Sequence, residues 1–112
     1  MMDITVNKLM ELFVDTLQKC GMHLLEMSDE YIGYYIFEEF DSGAISFLHE
    51  SSLLKLEKAG LITESISQKS AELRSKFMAL QNTDQWNVDS VKCAKEWREI
   101  LELSDEIKSL LK

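Results

Sequence analysis

Apolar positions recur at three- and four-residue intervals along almost the whole chain, which is the spacing of one face of a helix. Over residues 4–20, Leu9, Leu12, Phe13 and Leu17 share a face, while Lys8, Glu11, Asp15 and Lys19 point away. Asp3 is placed to cap the start of this helix, and Gly21 to end it in the left-handed conformation. Residues 22–27 are mostly apolar and read as a packed connection. Ser28 then offers an N-cap, with Asp29 and Glu30 in the first turn where the helix dipole favours negative charge. The second helix is expected to run to about Asp41 and carries two stripes. Ile32, Ile36 and Phe40 form one; Glu30, Tyr34, Phe37, Glu38 and Asp41 form another nearly opposite. If the first stripe faces the core, Tyr34 and Phe37 stand exposed among carboxylates. The alternative is a central helix covered on both sides.

Ser42-Gly43 is expected to break the chain before a short helix over residues 44–50. Ser51 or Ser52 caps the next helix, which buries Leu53, Leu54 and Leu56 and stops at Gly60-Leu61 in a Schellman ending. Thr63 opens another, with Glu64 in its first turn and Ile66, Ser70, Leu73, Phe77 and Leu80 facing inward. Asn82-Thr83-Asp84 is a polar turn, and Trp86 and Val88 fold the loop after it onto the core. From Asp89 or Ser90 a C-terminal helical region carries Trp97, Ile100, Leu103, Ile107 and Leu110 at helical spacing. Lys95–Glu99 and Arg98–Glu102 form i,i+4 pairs on its wet face. With no proline and four glycines in 112 residues, the expectation is an all-α fold: a single compact bundle of about five helices, one domain over residues 1–112.

Charge sharpens this picture. The net charge is −8, and all of it falls on residues 1–54, which hold ten acidic residues against Lys8 and Lys19; residues 55–112 hold ten against ten. Between Cys20 and Leu54 there is no lysine or arginine, but there are seven carboxylates: Glu26, Asp29, Glu30, Glu38, Glu39, Asp41 and Glu50. Tyr31, Tyr34, Tyr35, Phe37 and Phe40 are interleaved with them. Such a half-molecule repels phosphate backbones and anionic membranes and speeds encounter with a basic protein. Binding of nucleic acid or membrane is therefore not expected. Acidity that merely keeps the protein soluble is the plainer alternative.

Catalytic and metal-binding patterns are absent. His23 and His49 have no second ligand at a recognised spacing, and HExxH and glycine-rich phosphate loops are missing. Cys20 and His23 lie one helical turn apart, but Cys20 reads as a small apolar filler at a helix end. Glu38 and Glu39 point about 100° apart on a helix, too far to serve one substrate as acid and base. No enzyme activity, cofactor or metal is expected. Cys20 and Cys93 do not make a disulfide framework and suit half-buried thiols in a reduced, cytoplasmic protein; no signal peptide or membrane-spanning run is visible.

Residues 28–44, SDEYIGYYIFEEFDSGA, together with size, acidity and helical make-up, resemble bacterial toxin-immunity proteins of the colicin-type and contact-dependent growth inhibition group. Proteins of that group that neutralise nucleases present carboxylates around a Tyr-Tyr pair on a helical face; Tyr34-Tyr35 with Glu30, Glu38, Glu39 and Asp41 is similar in kind. The resemblance implies an inhibitor of a basic partner, a cognate toxin such as a nuclease, bound through Glu30, Tyr31, Tyr34, Phe37, Glu38, Glu39 and Asp41. The competing expectation is a non-catalytic module that forms a homodimer through the Ile100, Leu103, Ile107 and Leu110 stripe.

Overall fold

Five of the helices open where a short side chain, or in one case an imidazole, accepts a free backbone N–H. The computed structural model describes residues 5–111. Helix α1 (Val6–Gln18) is capped by Thr5, whose hydroxyl accepts from Lys8 N at 3.1 Å; Asp3 and Ile4 lie outside the described residues. A short 3-10 turn (Met22–Glu26) leads to α2 (Asp29–Tyr34), capped by Ser28 as expected. Helix α4 (Glu50–Lys58) is capped by His49 Nδ1 on Ser51 N rather than by a serine, and α5 (Glu64–Ala79) by Thr63 on Ile66 N. Asn87, not Asp89 or Ser90, caps α6 (Val88–Cys93). Ala94 adopts an extended conformation and separates α6 from α7 (Lys95–Leu110).

Ser42-Gly43 does not break the chain. Helix α2 passes through a π-helical segment (Tyr35–Phe40) into α3 (Asp41–Phe47), with Tyr34, Tyr35, Phe40 and Asp41 all in right-handed helical conformation. The glycine is there for a close approach instead: a Cβ on Gly43 would run into the Thr16 side chain of α1. Thr16 is buried and its hydroxyl donates back to Leu12 O at 2.8 Å, so the crossing of α1 and α3 leaves no polar atom stranded.

The π segment also explains which side chains are buried. Ile32, Ile36, Phe40, Ala44 and Leu48 are all fully buried and are spaced four apart. In a plain α-helix four residues overshoot one turn by about 40°, so such a row would spiral around the rod. Bonds running i→i+5 widen the turn to more than four residues and cancel the drift. One rod over residues 29–47 can therefore keep a single buried face.

Counting that rod as one helix, five long helices and the short α6 make up the bundle; 79% of it is helical, with no strand among the described residues. Its radius of gyration is 13.8 Å. The core is centred on five rings. Phe77 lies 4.8 Å from Phe40, 5.0 Å from Trp86 and 5.8 Å from Trp97, and Phe37 lies 4.8 Å from Trp86 and 5.8 Å from Trp97. Trp97 Nε1 donates to Gln85 O at 2.7 Å, which ties the loop before α6 to α7.

Several expectations are corrected here. Gly21 is extended rather than left-handed; a side chain there would collide with Asp105, Lys108 and His23. Schellman geometry does form at the end of α4, with Gly60 at φ 77° and Leu61 N bonded to Leu56 O at 3.0 Å. Leu54 remains 49% exposed, because it points away from the Leu53–Leu56 face of α4, and Leu12 is only half-buried. Glu99 reaches across to Lys76 at 3.7 Å, and among the described residues neither Lys95–Glu99 nor Arg98–Glu102 forms an ion pair.

Helix α7 closes the far end. Ser104 donates to Cys20 O at 2.8 Å and shares Leu17 O at 3.2 Å, while Lys108 also donates to Cys20 O at 2.8 Å. Asp105 accepts from Met22 N at 3.1 Å. Thr16 O and Leu17 O are met locally by the N–H groups of Lys19 and Cys20, whereas the Cys20 carbonyl just past α1 finds its donors more than eighty residues away. Ile100, Leu103 and Ile107 face this same core, so the stripe is taken up within the domain; only Leu110 stays 44% exposed.

Candidate partner-binding surface

Helix α2 has two faces. Ile32 and Ile36 bury, and this leaves Tyr31 and Tyr34 on the outside with 57% and 47% of their surface exposed. Tyr35 is half-buried against the core and props both of them: its ring stacks on Tyr31 at 6.1 Å and tilts against Tyr34 at 5.7 Å. The two exposed rings are therefore backed by a third that is itself anchored. Lys19, at the C-cap of α1, sits over Tyr35, its ammonium 5.5 Å from the ring centre.

Two shallow concavities flank Tyr31. One, about 550 Å³, is lined by Asp29, Glu30, Tyr31, Gly33, Tyr34 and Glu38. The other, about 450 Å³, is lined by Met27, Ser28, Tyr31 and Tyr35. Carboxylates and aromatic rings thus share one open face. Glu30 and Glu38 are both exposed on it. Asp29 carries the chain's own counter-ion: Lys92 of α6 approaches to 2.8 Å. That hydrogen bond, and then the Asp29 charge, raise the Lys92 ammonium above the ordinary lysine pKa.

The surface brings together Glu30, Tyr31, Tyr34 and Glu38 of the expected set. Phe37 leaves it. The ring turns inward to pack at 4.8 Å on Trp86, because the wide π turns rotate residue 37 toward the Ile36 side. Asp41 is half-buried and accepts from Gln81 Nε2 at 3.0 Å, and Glu39 is half-buried as well; neither lines either concavity. Met27 belongs to the face although it reads as part of a packed connection; its 39% exposure comes from its extended position before the Ser28 cap. The signal for it was available, since the residue before an N-cap lies beside the first turn.

No known family, curated protein or solved structure matches this chain.

Phe37→Ala tests this division of faces. Truncating a ring that contacts two tryptophans should cost about 3 kcal/mol of stability, measured by urea unfolding, while Tyr34→Ala should leave the midpoint nearly unchanged. A Phe37→Ala protein as stable as the parent would put that ring back on the surface.

The thiols divide just as sharply, one fully buried and one exposed rather than both half-buried. Burial pushes the Cys20 thiol up to about 12, more than its hydrogen bond with Ser104 and the Lys108 charge bring it down, and Asp105 adds to the rise. His23 is exposed, and Cys20 is held protonated, so the pair lacks the thiolate that nucleophilic chemistry needs. Treatment of the folded protein with Ellman's reagent near neutral pH should release one equivalent of chromophore, from Cys93. The second should appear only in denaturant. Rapid release of both from the native protein would mean that Cys20 is accessible.

Among the described residues no helix is long and apolar enough to cross a membrane, and no three His, Cys, Asp or Glu side chains are grouped to hold a metal ion.

Proposed function

We propose that this protein is an immunity-type inhibitor that binds a basic partner protein, a cognate bacterial toxin such as a nuclease, through the α2 face. The observation that carries the reading is the pair of exposed tyrosines, Tyr31 and Tyr34, both braced by Tyr35 and set among Asp29, Glu30 and Glu38. A cluster of exposed aromatic surface rimmed by charge marks an interaction site, and tyrosine with carboxylates matches a partner surface that carries arginine and lysine. The acidic half of the molecule supports it from a distance, because its field draws a positively charged protein into encounter. In a nuclease, the arginines and lysines that hold substrate phosphates would be the groups so engaged, and occupying them, or a surface beside them, blocks the substrate.

The test is affinity capture from the native host with the tagged protein, at low and then moderate salt. The expected result is one basic protein in equimolar amount, toxic when expressed alone and harmless when co-expressed with this chain. Capture should weaken as salt rises, since the attraction acts over about 10 Å at 0.1 M salt. A captured protein that is not basic, or whose toxicity is unaffected by co-expression, would reject the inhibitor reading.

A further inference from the structure

Charge alone does not separate arginine from lysine in a partner; exposed tyrosine faces do. A guanidinium is planar and weakly hydrated, so it stacks on an aromatic ring and forks two N–H groups onto one carboxylate, whereas an ammonium keeps its water and gains chiefly from charge. The two edges of the α2 face are already occupied by the chain's own cations, Lys92 on Asp29 at 2.8 Å and Lys19 over Tyr35 at 5.5 Å. Between those edges, Glu30, Glu38 and the open faces of Tyr31 and Tyr34 hold no cation among the described residues, and they meet in one concavity of about 550 Å³. Gly33 also lines it; a Cβ there would come up against Val88 of α6 rather than the rings.

We infer that this concavity receives an arginine side chain of the partner, its guanidinium stacked on Tyr34 and hydrogen-bonded to the carboxylates of Glu30 and Glu38. The inference rests on the proposed inhibitor function and specifies what the partner must present there. Lys92 marks the border of the site: its ammonium occupies Asp29, leaving the two glutamates for the incoming group.

Two peptide probes separate this inference from the broader one. Acetylated, amidated (Gly-Arg)3 and its lysine counterpart carry equal charge and are titrated into isotope-labelled protein at low salt, with backbone amide shifts followed by NMR. The arginine peptide should shift residues 29–38 and bind about threefold or more tightly than the lysine peptide. Tyr34→Leu, at an exposed position, should fold as the parent does and lose that preference while keeping the charge-driven binding. Equal affinity of both peptides at residues 29–38 overturns the arginine assignment and leaves a basic partner standing. Shifts outside residues 29–38 with both peptides overturn both readings.

Discussion

Trp97→Ala is expected to lower the unfolding free energy by about 3–5 kcal/mol, the largest stability effect of any single truncation in this protein. The indole is fully buried and packs at 5.8 Å against each of Phe37, Phe77 and Trp86. Its removal opens a cavity that three other rings cannot collapse into without leaving their own partners. It also leaves Gln85 O without the indole N–H that reaches it at 2.7 Å, and an unpaired carbonyl beside an apolar void adds to the cost. At about 4 °C or more per kcal/mol for a domain of this size, the melting temperature should fall by more than about 10 °C. Calorimetry and urea titration measure this directly. A loss below about 1 kcal/mol would show that the aromatic cluster does not organise the core.

Tyr34→Ala should behave in the opposite way. With nearly half its surface exposed, Tyr34 contributes little to folding, and the substitution should stay within about 0.5 kcal/mol of the parent in stability. Against the captured partner it should cost about 2 kcal/mol or more, a loss of about 30-fold in affinity, as expected for an aromatic anchor desolvated at the centre of an interface. Glu38→Gln on the same face should act mainly by slowing association, and its effect should shrink as salt is added. Calorimetric or surface-based titration of both variants gives the comparison. Full affinity in Tyr34→Ala would remove that face of α2 from the interface.

Much of the architecture was legible from spacing alone. The caps at Ser28 and Thr63, the Schellman ending at Gly60 and the inward row from Ile66 to Phe77 follow from local rules, because at those points local preference and packing agree. What failed was the assumption of a constant 100° per residue through the second helix. It put Phe37 beside Tyr34, whereas the π turns bring Phe37, half-buried, against the core and leave Tyr34 outside. A clue was present in the row Ile32, Ile36, Phe40, Ala44 and Leu48, which no uniform α-helix keeps on one side. Gly43 and Gly21 were misread for a related reason: both glycines answer to neighbours distant in sequence, Thr16 in one case, Asp105 and Lys108 in the other. Glu39 and Asp41 belong to the acidic composition of the segment but not to the face that carries Tyr31 and Tyr34. Composition reports charge; only the turn of the helix assigns its direction.

The clasp of Ser104 and Lys108 on Cys20 O has a kinetic meaning. These contacts join residues more than eighty positions apart, so a long loop must close before any of them forms, and they add to the share of late, non-local contacts in a helical protein. Once made, they tie the last turn of α1 to α7. Neither can open alone without breaking the Ser104 and Lys108 bonds to Cys20 O, so the two helices are expected to protect their amides from solvent exchange as one unit. Residues 22–27, with Asp105 holding Met22 N, join that unit to α2, so the tyrosine face is anchored at one end to the paired helices.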